Sequence, residues 1–199
     1  ALLLLCITAI SPSGWIEAAT FTVTDTTDDI ADGKSLRWAI DQAKQNGPGH
    51  DTINFNILGV GPHAIQLTST LIIKTPVTVD GYTEGTFQLG ANVKASANSL
   101  AKGNDAVLKI VLDGTNIAGQ PGTPPFNSGL ELRSPGITIR GLAIINAPGH
   151  GIAIFQQAAN DWTTIQHSST SSFSDSKLYS FWCRKYIHKE LLPHSHSLV

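Results

Sequence analysis

The chain has 199 residues, 14% of them charged and 41% hydrophobic, with a formal net charge of −2. That length is enough for one domain with a substantial core. The near-neutral balance argues against a nucleic-acid binder, which would usually carry a basic face, and the hydrophobic content suits a folded rather than a disordered chain.

The chain opens "ALLLLCITAISPSGWIEAAT". Ala1 to Ile10 is a nearly unbroken apolar run followed by Ser, Pro and Gly. This is the pattern of the apolar and cleavage regions of a secretory signal peptide. A membrane span needs about 20 apolar residues, so no membrane span is expected here. The basic leading segment is missing and the chain has no Met, which predicts an incomplete signal peptide over residues 1–19. Its cleavage is expected after Ala18 or Ala19, although Glu17 suits the second site poorly. A secreted or cell-surface location follows; a buried N-terminal helix is the alternative. Cys6 lies in this region and Cys183 near the other end, so no disulfide framework is expected between them.

"FTVTDTT" then alternates Phe21 and Val23 with Thr22 and Thr24, the period of a half-buried strand. After "DDIADG", the stretch "SLRWAIDQAKQNGPG" predicts one short helix. Leu36, Ala39, Ile40 and Ala43 recur at helical spacing, Ser35 is placed to cap the start, and Gly47-Pro48 ends it. From Asp51 the alternation has period two. Ile53, Phe55 and Ile57 fall on one face, with Thr52, Asn54 and Asn56 on the other. "AIQL", "TLIIKT", "VTVDG" and "IVLDG" continue it, with Ile65, Leu67, Val77 and Val79 inward. Residues 82–107, rich in Gly, Ala, Asn and Ser, read as an insertion.

"GLEL" at 129–132 returns as "GIAI" at 151–154, with "ITI" and "LAI" between them. Three short strands in a repeat of roughly 20–25 residues suggest one coil of a solenoid. Leu130, Leu132, Ile137, Ile139, Leu142, Ile144, Ile152 and Ile154 are expected inside, with Gly141, Gly149 and Gly151 at sharp corners. Asn146 is a candidate for stacking in a turn or for a left-handed backbone. Alternation alone also allows a β-sandwich; the three-strand repeat favours an all-β, right-handed parallel β-helix with an N-terminal capping strand and short helix. The expected organisation is a cap over 20–50, coils over 51–167 and an aberrant or disordered tail over 168–199, where the alternation stops. A frameshift or truncation explains that change, and a true C-terminal cap is the alternative.

"FTVTDTTDDIADGKSLRWAIDQAKQNGPGHDTINFNI" resembles the N-terminal segment of exported bacterial β-helix proteins, which carry a CSLREA-like helix followed by an "ADTIxF"-like strand. "GPHAIQLTSTLIIKTPVTVDGYT" and "IVLDGTNIAG" are similar to that family too, so the resemblance covers about residues 20–166. Lys34 stands where many members have Cys. Trp38 stands where Glu or Gln is usual, which leaves Ser35 without the second half of a capping box. The resemblance implies the pectate-lyase-like superfamily and a capped N-terminal part of a longer β-helix.

Several residues invite chemistry. Asp25, Asp28, Asp29 and Asp32 cluster before Gly33, and calcium favours several oxygen ligands, although the spacing is not that of an EF-hand. A solvated turn is the plainer reading. Asp80 and Asp113 each precede Gly at a strand end; stacked in neighbouring coils they would form an acid–base pair for sugar chemistry. Asp-Gly is also an ordinary turn signal. Arg133 and Arg140 flank a strand and are candidates to bind a uronate carboxylate. His50 and His150 sit in "PGH" turns, and His188, His194 and His196 are spaced without a metal pattern. The sequence therefore predicts a structural, adhesive or carbohydrate-binding module facing a polysaccharide or other surface glycan. A polysaccharide lyase or glycoside hydrolase is the alternative.

Overall fold

The computed structural model describes residues 17–47, 49–85, 94–101, 104–119, 127–155, 163–166 and 169–172. The signal-like residues 1–16, both cysteines and most of the 168–199 tail, with His188, His194 and His196, lie outside them.

The described chain is mostly parallel β-sheet with one α-helix. After β1 (Thr20–Val23) and α1 (Leu36–Asn46) come β2 (Asp51–Phe55), β3 (His63–Gln66), β4 (Leu71–Ile73) and β5 (Val77–Asp80). They are followed by β6 (Ile110–Asp113), β7 (Leu130–Leu132), β8 (Ile137–Arg140), β9 (Leu142–Ala147), β10 (Ile152–Ile154), β11 (Thr163–Gln166) and β12 (Ser169–Ser172). Three sheets form, in the orders β1-β2-β5-β8-β11, β3-β6-β9-β12 and β4-β7-β10. From β2 onward the chain visits the first, second and third sheets in strict rotation. Every pairing between these strands is parallel.

Period-two alternation explains the core. Ile53, Val79 and Ile139 are opposite one another in the first sheet, Leu112 and Ile144 in the second, and Leu71 and Leu130 in the third. All seven are at most 1% exposed. At about 25 cal/mol per Å², each such side chain gives on the order of 2 kcal/mol on burial. Leu130, Leu132, Ile137, Ile139, Leu142 and Ile144 are inside, as the pattern predicts. Ile152 is only half-buried against the core, and Ile154 is 40% exposed. Both belong to β10, which among the described strands has β7 on one side and none on the other.

The helix starts and stops where the sequence places it. Ser35 Oγ accepts from the Trp38 amide at 3.1 Å, and Gly47 follows the last turn. Leu36, Ala39, Ile40 and Ala43 form the buried face, which packs on β1, β2 and β4. Trp38 cannot complete a capping box; instead its ring meets Phe21 edge-on at 6.1 Å.

Of the three glycines expected at corners, Gly141 has a positive φ of 71°, whereas Gly149 and Gly151 do not. Gly141 separates β8 from β9 and so turns the chain from the first sheet into the second. Gly81 occupies the equivalent place after β5. A Cβ on Gly81 would stand 2.2 Å from the Gly141 carbonyl oxygen, so two backbones touch here. Asn146 has φ 56°, the left-handed conformation expected of it. β12 begins at Ser169, beyond the coil boundary at 167, so pairing with β9 runs into the segment read as tail. In the 82–107 stretch, Ser96 and Val107 bridge antiparallel and the Ala95 amide donates to the Glu84 carbonyl.

Ile139→Asp is expected to destabilise the domain by at least about 3 kcal/mol, because the charge has no partner in the core. Gly141→Ala should cost about 1–3 kcal/mol, through its positive φ and a Cβ 2.7 Å from the Tyr82 amide nitrogen. Thermal melts of both variants check this; wild-type melting for Ile139→Asp would remove Ile139 from the interior.

Candidate functional site

The residues of the first sheet that alternate with its core positions form two ranks. Thr20, Thr52, Thr78, Thr138 and Thr164 are opposite one another on five successive strands. Two residues further along each strand lie Thr22, Asn54, Asp80, Arg140 and Gln166. Neighbouring strands are about 4.8 Å apart, so the first rank repeats one side-chain type at that interval. The side chains of Thr20, Thr52, Thr78 and Thr138 are all at least partly exposed. His50 joins the rank, its Nε2 2.9 Å from Thr78 Oγ1.

The second rank holds the charges. Arg140 Nη2 donates to Asp80 Oδ2 at 2.5 Å, and Asp80 Oδ1 accepts from the Tyr82 amide at 3.1 Å. The Asp80 side chain is 9% exposed and that of Arg140 42%. Burial, reinforced by the Asp80 charge, pushes the Tyr82 phenol up to about 12, so it stays protonated.

The other candidates are engaged with partners of their own. Asp80 and Asp113 do not stack: Asp80 ends β5 in the first sheet and Asp113 ends β6 in the second. "VTVDG" and "IVLDG" look alike but are successive turns of the rotation, so the expected carboxylate pair is not formed. Asp113 instead accepts from Thr115 N, Thr115 Oγ1 and Asn146 Nδ2 on one oxygen and from Gln66 Nε2 on the other. Burial opposes its ionisation, but these hydrogen bonds outweigh it and hold the carboxyl at about 2. Such a group serves neither as general acid nor as base near neutral pH. Gln66 ends β3 and so joins Asp113 in the second sheet. Arg133 pairs with Glu131 at 2.5 Å and lies 5.0 Å from the Phe155 ring centroid. Both guanidiniums proposed for a uronate thus already hold a carboxylate.

The acidic cluster before Gly33 is divided in the same way. Arg37 donates to both oxygens of Asp28, at 2.9 and 2.8 Å, and Asp28 also accepts from the amide and hydroxyl of Thr68. Asp25 and Asp29 accept from the amides of Thr27 and Ala31, and Asp32 from Lys34 N, Ser35 N and Thr27 Oγ1. These contacts build the turn and the helix start. Among the described residues no three His, Cys, Asp or Glu side chains converge to hold a metal ion.

One pair carries no sequence signal. Glu84 is 2% exposed and accepts from the amides of Ile57 and Gly85; its Oε1 is 3.6 Å from His63 Nε2, too long for a hydrogen bond. Lys109 Nζ donates to the Val60 carbonyl at 2.7 Å. Together these contacts tie the 57–62 loop to Glu84 and Lys109. Only contact across 21 or more residues reveals this arrangement. Among the described residues no helix is long and apolar enough to cross a membrane.

No protein-family model matches the chain, and no curated protein matches it at a significant level.

The depressed acidity of Asp113 has a definite sign. Its contribution to stability is complete above the ordinary value of 3.8 and is lost as pH falls towards about 2. Asp113→Asn should lower stability at pH 7 and flatten the loss of melting temperature between pH 4 and 2. Parallel melting curves for the two proteins across that window would contradict this.

Proposed function

We propose that this chain is the N-terminal part of an exported or cell-surface right-handed parallel β-helix protein, and that it binds an extended glycan without cleaving it. The β-helix reading is supported by the strict rotation of the strands through three parallel sheets, and by the helix packed over β1, β2 and β4 as a cap. It agrees with the CSLREA-like resemblance and the pectate-lyase-like superfamily that it implies. Export rests on the signal-like character of residues 1–19.

The observation that carries the binding reading is the threonine rank of the first sheet. Threonine hydroxyls donate and accept, and a ladder repeats them at the scale of one sugar unit. A polysaccharide lying across the strands meets the same group at every step. The face carries little net charge, since Asp80 and Arg140 neutralise each other. Cleavage requires a positioned base or acid and a group to stabilise developing charge. The lyase or hydrolase alternative draws on Asp80, Arg140 and Tyr82, which share this face. Against it, Arg140 is held by Asp80, and Tyr82 keeps its proton.

The test incubates the purified protein with pectin, alginate and polygalacturonate, with and without calcium. Retention of glycan without new unsaturated or reducing ends is the expected result. Replacing Thr52 and Thr138 together by Glu should weaken retention about tenfold, by adding charge and removing two hydroxyls. New chain ends that disappear in Asp80→Asn or Arg140→Ala would establish the enzyme instead.

A further inference from the structure

A second recess lies away from the threonine face, where the ends of β6 and β9 meet. It is a cleft of about 350 Å³ lined by Gly114, Thr115, Ile117, Gly119, Asn146 and neighbouring Ala147 and Pro148. Small-ligand sites begin at about 300 Å³.

Its walls are fixed by several contacts. The Gly114 amide donates to the Ile145 carbonyl at 2.9 Å and the Ile117 amide to the Gly114 carbonyl at 2.9 Å. Ile117 is buried and anchors the first wall. Asn127 Nδ2 donates to the Ala118 carbonyl, and the Gly149 amide to the Asn127 carbonyl at 2.8 Å, which ties the two walls together. A Cβ on Gly114 would come within 2.8 Å of Ala147 Cα, so the walls approach as closely as backbones allow.

Acceptors outnumber donors among the side chains of the lining. Asp113 lies directly behind it, within one hydrogen bond of both Thr115 Oγ1 and Asn146 Nδ2. The Thr115 hydroxyl spends its proton on Asp113, at 2.6 Å, so it meets a ligand as an acceptor. Asn146 spends one amide proton on the same oxygen and keeps its carbonyl as an acceptor beside its second N–H. Ile117, Ala147 and Pro148 supply an apolar surface beside these groups. A ligand for this cleft must bring hydrogen-bond donors on one side and C–H groups on the other. It must not bring an anion, because a fixed carboxylate stands behind the acceptors.

We propose that the Gly114–Pro148 cleft binds one neutral hexose unit of a glycan, through hydroxyls donated to Thr115 and Asn146, and rejects a uronate there. This rests on the glycan-binding reading above and adds a selective site to it.

The test titrates the full chain with short oligomers of β-1,4-linked glucan, mannan and galactan, and with oligogalacturonate, following backbone amide shifts. Neutral oligomers should move the amides of Thr115, Ile117 and Asn146, while oligogalacturonate leaves them in place. Thr115→Val and Asn146→Gly, the latter chosen because glycine tolerates φ 56°, should each weaken neutral-oligomer binding at the cleft about 5–10-fold. Asp113→Asn should admit oligogalacturonate to the cleft, a gain that a merely destabilised protein does not give. Shifts confined to Thr52, Thr78 and Thr138 would overturn the cleft proposal and leave the face reading intact. Oligogalacturonate binding at the unaltered cleft would also overturn it. No shifts anywhere with any oligomer would overturn both readings.

Discussion

Everything in this chain depends on parallel strands meeting without slipping. The alternation has period two, so a slip of one residue would exchange the two faces of a strand. In β5 such a slip would send Val77 and Val79 outward and Thr78 and Asp80 inward. With about 2 kcal/mol lost per displaced branched side chain, and more for a buried carboxylate, one misplaced strand would cancel much of a small domain's stability. The Gly81–Gly141 contact enforces the register locally. Both glycines follow the last residue of a first-sheet strand, and Asp80 is opposite Arg140. Any side chain at Gly81 would collide with the Gly141 carbonyl. The same step that turns the chain into the second sheet therefore locks the strands that precede it.

Buried carboxylates take up the tasks that local structure cannot. Asp51 is fully buried, and its Oδ1 accepts from the Ala19 amide and from Asn46 Nδ2, which joins the approach to β1, the end of α1 and the start of β2. Asp28, with its side chain 2% exposed, links Arg37 on the helix to Thr68 before β4. Glu84 accepts the Ile57 amide across the loop after β2. Each satisfies backbone donors that the ladders leave over, and each is worth far more than a solvent-exposed pair such as Glu131–Arg133. Removing one partner would strand the rest, which makes these sites structural and leaves little free charge for a ligand.

The strand alternation and the helix were legible because both depend on neighbours in sequence. Ile53, Phe55 and Ile57 alternate within five residues, and Ser35 to Gly47 carries its own start and stop signals. What could not be read was which strand lies beside which. Asp80 and Asp113 end look-alike strands, yet they belong to different sheets, while Asp80 meets Arg140 from 60 residues away. The threonine rank was invisible for the same reason: Thr52 and Thr78 are 26 residues apart, but Thr78 and Thr138 are 60 apart, with the 82–107 stretch among the residues between them. Ile154 was misplaced because alternation reports which way a residue points, whereas its burial depends on a second neighbouring strand that the described residues do not include. Asp28 was read among its acidic neighbours, whereas its decisive partner Arg37 lies in the helix.

The two ranks of the first sheet divide two tasks between them. The second rank is chemically mixed, Thr, Asn, Asp, Arg and Gln, and its central members bind each other across strands. That rank holds the sheet together and leaves the face near neutral. The first rank is uniform and holds nothing essential, since Thr52 and Thr138 are not needed to fill the core. A uniform neutral rank has no electrostatic reach, so it gains little from long-range steering. On the proposed reading, its hold on a glycan would come from many equivalent weak hydrogen bonds, each of about 1 kcal/mol, made together along a repeating chain. Affinity on such a face grows with the number of strands engaged. On the proposed reading, such a face would favour polymers over single sugars, and discrimination between kinds of sugar would fall to a site with fixed polar groups and one fixed charge. The proposed Asp113 cleft would suit that role, because four hydrogen bonds to its carboxylate fix the neighbouring polar groups before any ligand arrives.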